Sequence, residues 1–136
     1  MKQLPNKIIG VAVITNQQGE ILIDRRLPGG VFGGLWEFPG GKIEADETIE
    51  NCITREIKEE LALDIEVGAH LITVNHSYAD FQVTLIVHHC HYLGGSPQPL
   101  ESQEVCWSKV EHLHNFSFPE ANYQIIDMLI TSFRER

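Results

Sequence analysis

Apolar residues recur in two different rhythms along this chain. Ile8 to Ile14 is a short run rich in β-branched residues, stopped by the turn-forming Asn16-Gln17-Gln18-Gly19, after which Glu20 to Arg26 resumes the pattern. The pair reads as a hairpin of two strands. Leu27 to Gly34 holds one proline and four glycines, which predicts a mobile surface loop. Trp36-Glu37-Phe38 then reads as a brief strand running into Pro39-Gly40-Gly41. From Asp46 to Leu61 the rhythm changes: Gly and Pro disappear, and Ile49, Ile53, Ile57 and Leu61 recur at every fourth position, with Cys52 on a neighbouring row. That spacing predicts a helix. Ile65 to Ala69, Leu71 to Tyr78 and Phe81 to Tyr92 return to strand character, Gly94 to Pro99 is a loop, and Val105 to Trp107 adds a short strand. Pro119 to Phe133 predicts a second helix with proline near its first turn. Strands interleaved with two helices suggest an α/β sandwich around a mixed sheet. A length of 136 residues, 43% hydrophobic, predicts one domain over 1–136.

Composition narrows the partners. The longest apolar stretches, Ile8 to Ile14 and Val83 to Val87, fall well short of the ~20 residues that cross a bilayer, and no basic-then-apolar leader opens the chain. A soluble cytoplasmic protein without a membrane partner is expected, as a monomer or weak dimer. Cys52, Cys90 and Cys106 are scattered and lack CxxC spacing, which fits reduced thiols. A net charge of −9 with only 10 Lys and Arg argues against binding a nucleic-acid polymer, whose backbone is held by clustered cations. A phosphorylated substrate would need metal ions to bridge the repulsion.

Much of the acid is concentrated. At about 100° per residue, Glu60 falls between the directions of Ile49 and Ile53, and Glu56 between those of Cys52 and Ile49. Two carboxylates thus point along the apolar side of the predicted helix, with Glu59 at the margin of the same arc, so that three acids converge. Like charges gathered near a core are costly unless they protonate or meet a cation. Oxygen ligands without His or Cys favour Mg²⁺ or Mn²⁺ over zinc. The plainer alternative is a solvated acidic face, with Glu56 or Glu59 paired to Arg55 and Lys58 along the helix.

The upstream residues favour the metal. Gly41, Glu47, Arg55, Glu56, Ile57, Glu59, Glu60 and Leu63 match the pattern G-x5-E-x7-R-E-U-x-E-E-x-G-U, with U aliphatic, so the chain resembles the Nudix family. Ala62 is the departure: the family has glycine there, a residue that helps the chain leave a helix. The resemblance implies a Nudix-type α/β/α sandwich around a mixed β-sheet. It also implies hydrolysis of a phosphoanhydride bond in a nucleoside triphosphate. It would make Glu56, Glu59 and Glu60 metal ligands, with a main-chain oxygen near Gly40 or Gly41 completing the shell. Arg55 would brace the carboxylates and Glu47 would tie the preceding loop to the helix. From the residues alone, Arg55 could equally be a surface salt bridge and Glu47 a partner for the helix dipole. Glu101 resembles the family's loop acid six residues before a tryptophan, here Trp107, and would reach the metals; Glu104 is its rival, and Glu56 shares candidacy as general base.

Trp36 to Glu44, Asp24-Arg25-Arg26 and Phe118 to Asn122 are similar to the MutT-type branch, whose members remove 8-oxo-dGTP from the nucleotide pool. That likeness implies that Asn122 reads a purine edge, since an amide both donates and accepts. Arg26 would contact phosphate or the oxidised base, and Phe38 would help wall the base site. Asn122 as an ornament of the last helix and Phe38 as ordinary core are the structural alternatives. Phe81 and Gln82 could line the same pocket. His88, His89 and His91 invite a zinc reading, but alternation puts His88 on one strand face and the others on the opposite one, which favours a polar strand face. The competing activities are a Nudix pyrophosphohydrolase for CTP or another modified nucleotide, and a non-catalytic Nudix-like binding module.

Overall fold

The computed structural model describes residues 4–134. Along them run β1 (Asn6–Thr15), β2 (Ile21–Arg25), β3 (Trp36–Glu37), β4 (Gly40–Lys42), α1 (Ile49–Leu61), β5 (Asp64–Ser77), β6 (Gln82–Gly94), β7 (Glu104–Ser108) and α2 (Tyr123–Arg134). The strands form one mixed sheet in the order β3-β2-β1-β6-β5, with β4 also on β1 and β7 on β2. β1 lies parallel to β6 in unbroken register from Asn6↔Gln82 to Thr15↔His91. Its other flank is shared between β4, opposite Ile9 to Val11, and β2.

Both faces of the sheet are covered along Gly10 to Ile14, which is why that part of the run is apolar without alternation, while Ile8 stands exposed. Val11, Val13, Ile21 and Ile23 pack with Leu113, Ile125, Ile126 and Leu129, on the side of α2. Ala12, Ile14 and Leu22 pack with Ile53, Ile57 and Leu61 of α1 on the other. The result is the α/β/α sandwich expected. α1 approaches β1 closely, because a side chain on Gly10 would stand 3.0 Å from Ile53 Cγ1 and 3.2 Å from Cys52 Sγ. Among the described residues no helix is long and apolar enough to cross a membrane.

Several boundaries differ from the sequence reading. α1 begins at Ile49 rather than Asp46, because the Thr48 side chain accepts from the Asn51 N–H and caps the helix there, while Asp46 takes a left-handed φ of 64°. The β1–β2 hairpin has a single registered pair, Thr15↔Ile21, since β4 occupies the flank that β2 would have continued along. Ile65 to Ala69 and Leu71 to Tyr78 are one strand, β5, interrupted by register shifts around His70. The second helix opens with a 3-10 turn over Glu120–Asn122 and becomes α-helical at Tyr123. His88 is buried, its Nδ1 2.9 Å from the Gly68 carbonyl, instead of lying on a polar strand face.

Candidate active site

α1 and β4 together make the carboxylate-bearing edge of the site. Glu56 and Glu60 are half-buried toward β4, as the helical phase predicted. The Glu56 carboxylate rests against the bare backbone of Gly41, where an added Cβ would stand 2.3 Å from its Oε2. The Gly40 N–H donates to Glu60 Oε2 at 3.3 Å. Arg55 holds the loop and the helix as one unit: Nε and Nη2 donate to the two carboxylate oxygens of Glu47 at 2.7 and 2.9 Å. Its Nη1 reaches Glu56 Oε1 at 2.8 Å and Glu59 Oε2 at 3.2 Å, and Nη2 also reaches the Lys42 carbonyl at 3.2 Å. This forked pairing lowers the Glu47 pKa to about 2 and pushes that of Arg55 up.

Glu59 departs from the expected convergence. Its side chain is 52% exposed, and among the described residues no three acidic, histidine or cysteine side chains close on one point. Arg55 holds Glu56 and Glu59, whereas the Gly40 amide holds Glu60.

Glu60 instead looks into an acidic cleft of about 280 Å³ lined by Asp24, Arg26, Glu37, Glu60, Glu101 and the Leu27–Gly29 segment. Asp24 is only 4% exposed, and its Oδ1 is buried with no hydrogen-bond partner. Burial, followed by the Glu37 charge, lifts its pKa to about 8 despite Arg26. Burial, then the charges of Asp24, Glu37 and Glu56, lifts Glu60 to about 10 against the pull of the Gly40 amide. Glu37 is raised too, chiefly by burial, although Arg26 Nη1 donates to it at 3.1 Å.

Glu101 arrives by a route that spacing does not reveal. Gln98 N–H donates to the Leu61 carbonyl at 2.9 Å and Leu100 N–H to that of Glu60 at 3.1 Å, so the loop after β6 caps the end of α1 and delivers Glu101 beside Glu60. Glu104 lies on β7 and pairs with Arg25 at 3.9 Å. The donors fit a divalent cation: they are all oxygens, four carboxylates face the single cation Arg26, and one buried carboxylate oxygen is orphaned.

A second cleft, about 350 Å³, adjoins the first across Arg26 and Glu37, which line both. Phe38 and Asn122 are in its wall, together with Phe32, Tyr78 and Phe81. Phe38 packs on Phe118 at 5.3 Å between centroids, and Tyr78 packs on Phe32 at 5.0 Å and on Phe81 at 5.2 Å. Asn122 is 9% exposed, with Nδ2 donating to the Pro119 carbonyl at 3.3 Å. Tyr78 Oη accepts from the Ala121 N–H at 2.9 Å and so fixes the turn that carries Asn122. Sequence reasoning missed Asp24 and Glu37 as cleft acids and Phe32 and Tyr78 as wall. An aspartate ending a run of buried aliphatics was the available signal for Asp24; none pointed to Phe32, which lies in a glycine-rich loop.

Comparison with known proteins accounts for this arrangement. A NUDIX domain model matches residues 10–128. The chain is 36% identical to an 8-oxo-dGTP diphosphatase of Haemophilus influenzae, over 93% of this chain and 95% of that one. It is 29% identical to a CTP pyrophosphohydrolase of Escherichia coli, over 86% and 87% of the two. The crystal structure of a MutT protein from Methanosarcina mazei superimposes with a TM-score of 0.84 at 26% identity, covering 99% of this chain and 98% of the other. A matching domain model, a relative aligned nearly end to end and a shared fold agree with the glutamate helix and its two clefts: the chain belongs to the NUDIX family, among its MutT-type hydrolases.

Proposed function

We propose that this protein hydrolyses 8-oxo-dGTP to 8-oxo-dGMP and pyrophosphate, using Mg²⁺ or Mn²⁺, and so clears oxidised precursor from the nucleotide pool. NUDIX hydrolases are generally dependent on divalent metals, and the protein acts on nucleotides. The observation that carries the finer reading is the junction of two unlike clefts at Arg26 and Glu37: one acidic, for a metal-bearing triphosphate, the other aromatic and ended by an amide, for a base.

In this reading Glu56, Glu59 and Glu60, with the Gly40 carbonyl and Glu101, hold the cation. When bound, it supplies neutralisation of phosphate charge and activation of water. Arg55 positions Glu56 through the 2.8 Å contact, and Arg26 turns its guanidinium toward the phosphates or the oxidised base. Phe38, packed on Phe118, helps wall the base site, while the Asn122 amide both donates and accepts along the purine edge. Glu56 and Glu101 are the carboxylates able to take the proton of the attacking water. Phosphoanhydride cleavage asks for alignment and charge stabilisation more than for covalent help, and these groups offer both. We read the chain as one domain, cytoplasmic, a monomer or weak dimer, acting on free nucleotide and not on a nucleic-acid polymer.

The deciding experiment is a steady-state comparison of 8-oxo-dGTP, dGTP and CTP with Mg²⁺, with products identified. A kcat/KM at least about tenfold higher on 8-oxo-dGTP is expected, since hydrogen bonds to the altered purine edge carry the discrimination. Equal rates on 8-oxo-dGTP and dGTP would remove the sanitising role, and preference for CTP would move the protein to the other named activity. Glu56→Gln is expected to lower kcat by roughly 10²–10⁴-fold. Activity retained in that variant would remove Glu56 from the machinery, whereas nucleotide binding without turnover in the unchanged chain would favour the binding-module alternative.

A further inference from the structure

We propose that Asp24 is a further ligand for a divalent cation, held with Glu60 in the acidic cleft and set deeper than the carboxylates of the Nudix signature. The proposal rests on the metal-dependent reading above and extends it to a residue outside the signature. Its starting point is a place where folding leaves a polar atom stranded. Ile21, Leu22, Ile23 and Asp24 are consecutive buried positions of β2. Alternation sends Ile21 and Ile23 toward the α2 layer, whereas Leu22 packs in the α1 layer. Asp24 therefore shares the α1 side, the side from which Glu60 enters the cleft.

A carboxylate is a poor occupant for such a position unless something there needs it. Asp24 is 4% exposed, and its Oδ1 neither meets water nor accepts a hydrogen bond. The nearby guanidinium acts on it only through its charge, because the hydrogen bond of Arg26 Nη1 goes to Glu37 at 3.1 Å. Four carboxylates, Asp24, Glu37, Glu60 and Glu101, line the cleft against that single cationic side chain. A buried like-charge group of this kind is relieved by taking up protons or by a divalent ion that replaces them. The donors are hard oxygens, and an ion of the Mg²⁺ type takes one or two carboxylates while keeping waters or substrate phosphates in its remaining positions.

The test is Mn²⁺ binding to the metal-stripped protein, followed by electron paramagnetic resonance of the free ion, for the unchanged chain and for Asp24→Asn. Expected is a loss of at least about tenfold in Mn²⁺ affinity in the variant, with a metal-free melting temperature equal to or above that of the unchanged chain. Equal affinity and stoichiometry in the two overturns the role of Asp24 and leaves metal dependence through Glu56, Glu59 and Glu60 standing. An unchanged chain that binds no Mn²⁺ overturns both. Should Asp24→Asn fail to fold, anomalous scattering from a Mn²⁺-soaked crystal of the unchanged protein decides. An ion about 2.1 Å from an Asp24 oxygen is expected, and ions confined to Glu56 and Glu59 refute it.

Discussion

A methyl group added at Gly41 would first meet the Glu56 carboxylate, the end of a flexible side chain, whereas one added at Gly40 would stand 2.0 Å from the Gly10 carbonyl oxygen and 2.9 Å from Val11 Cα. The two neighbours should therefore fail differently. Gly41→Ala is expected to keep a melting temperature near that of the unchanged chain but lose at least about tenfold in kcat, because Glu56 must swing away. Gly40→Ala is expected to destabilise by roughly 1–3 kcal/mol or more, since backbone must move, and thermal melts of the two variants make the comparison. Arg55 is a positioning residue on the same scale. With Glu47 at a pKa of about 2, below its ordinary 4.5, the pair contributes stability that is fully present above about pH 4.5 and lost as pH falls through about 2. Arg55→Ala should lower stability at pH 6 and remove that acid-dependent loss, so the gap between melting at pH 6 and at pH 3 narrows. Single residues are also where the sequence was most and least legible. Arg55, Glu56 and Glu60 follow from fixed spacing on one helix. Asp24 enters its cleft from β2 and Tyr78 from just past the end of β5, and no local pattern encodes that meeting.

Helix α1 is limited at both ends by devices of unequal visibility. Thr48 with Asn51 sets its start, a cap that the apolar repeat alone had overrun to Asp46. Its end is Ala62, held at φ 57° and ψ 33° with its N–H donating to the Lys58 carbonyl. The position is the left-handed one that glycine fills without steric cost, so the departure from the family pattern is a tolerated strain and not a change of path. Ala62→Gly should stabilise the protein by about 0.5–1 kcal/mol, relief of strain outweighing the greater freedom of the unfolded chain, as a rise in melting temperature would show. The helix was readable because its apolar face repeats. The capping of its last carbonyls by Gln98 and Leu100 was not, since it depends on where a distant loop happens to land.

Across the whole molecule the acidic cleft sets the response to pH. Unfolded, Asp24 and Glu60 release their protons near 3.8 and 4.5; folded, they hold them to about 8 and about 10. The native state binds more protons between those limits, so metal-free stability falls as pH rises from about 5 through 8 and beyond. Melting of the chelated protein should accordingly occur at higher temperature at pH 5 than at pH 8, and Asp24→Asn should flatten the slope and raise stability at pH 8 by on the order of 1 kcal/mol, about 4 °C. The sandwich itself was legible from the two rhythms of apolar residues. The strand order was not, because an all-apolar run announces burial on both faces without naming its neighbours. The neighbour that β1 takes is β6, residue for residue from Asn6 to Thr15, across more than seventy intervening positions. A ribosome must therefore release the chain as far as His91 before β1 can find the whole of its parallel mate, and refolding from denaturant should be paced by closing that long loop.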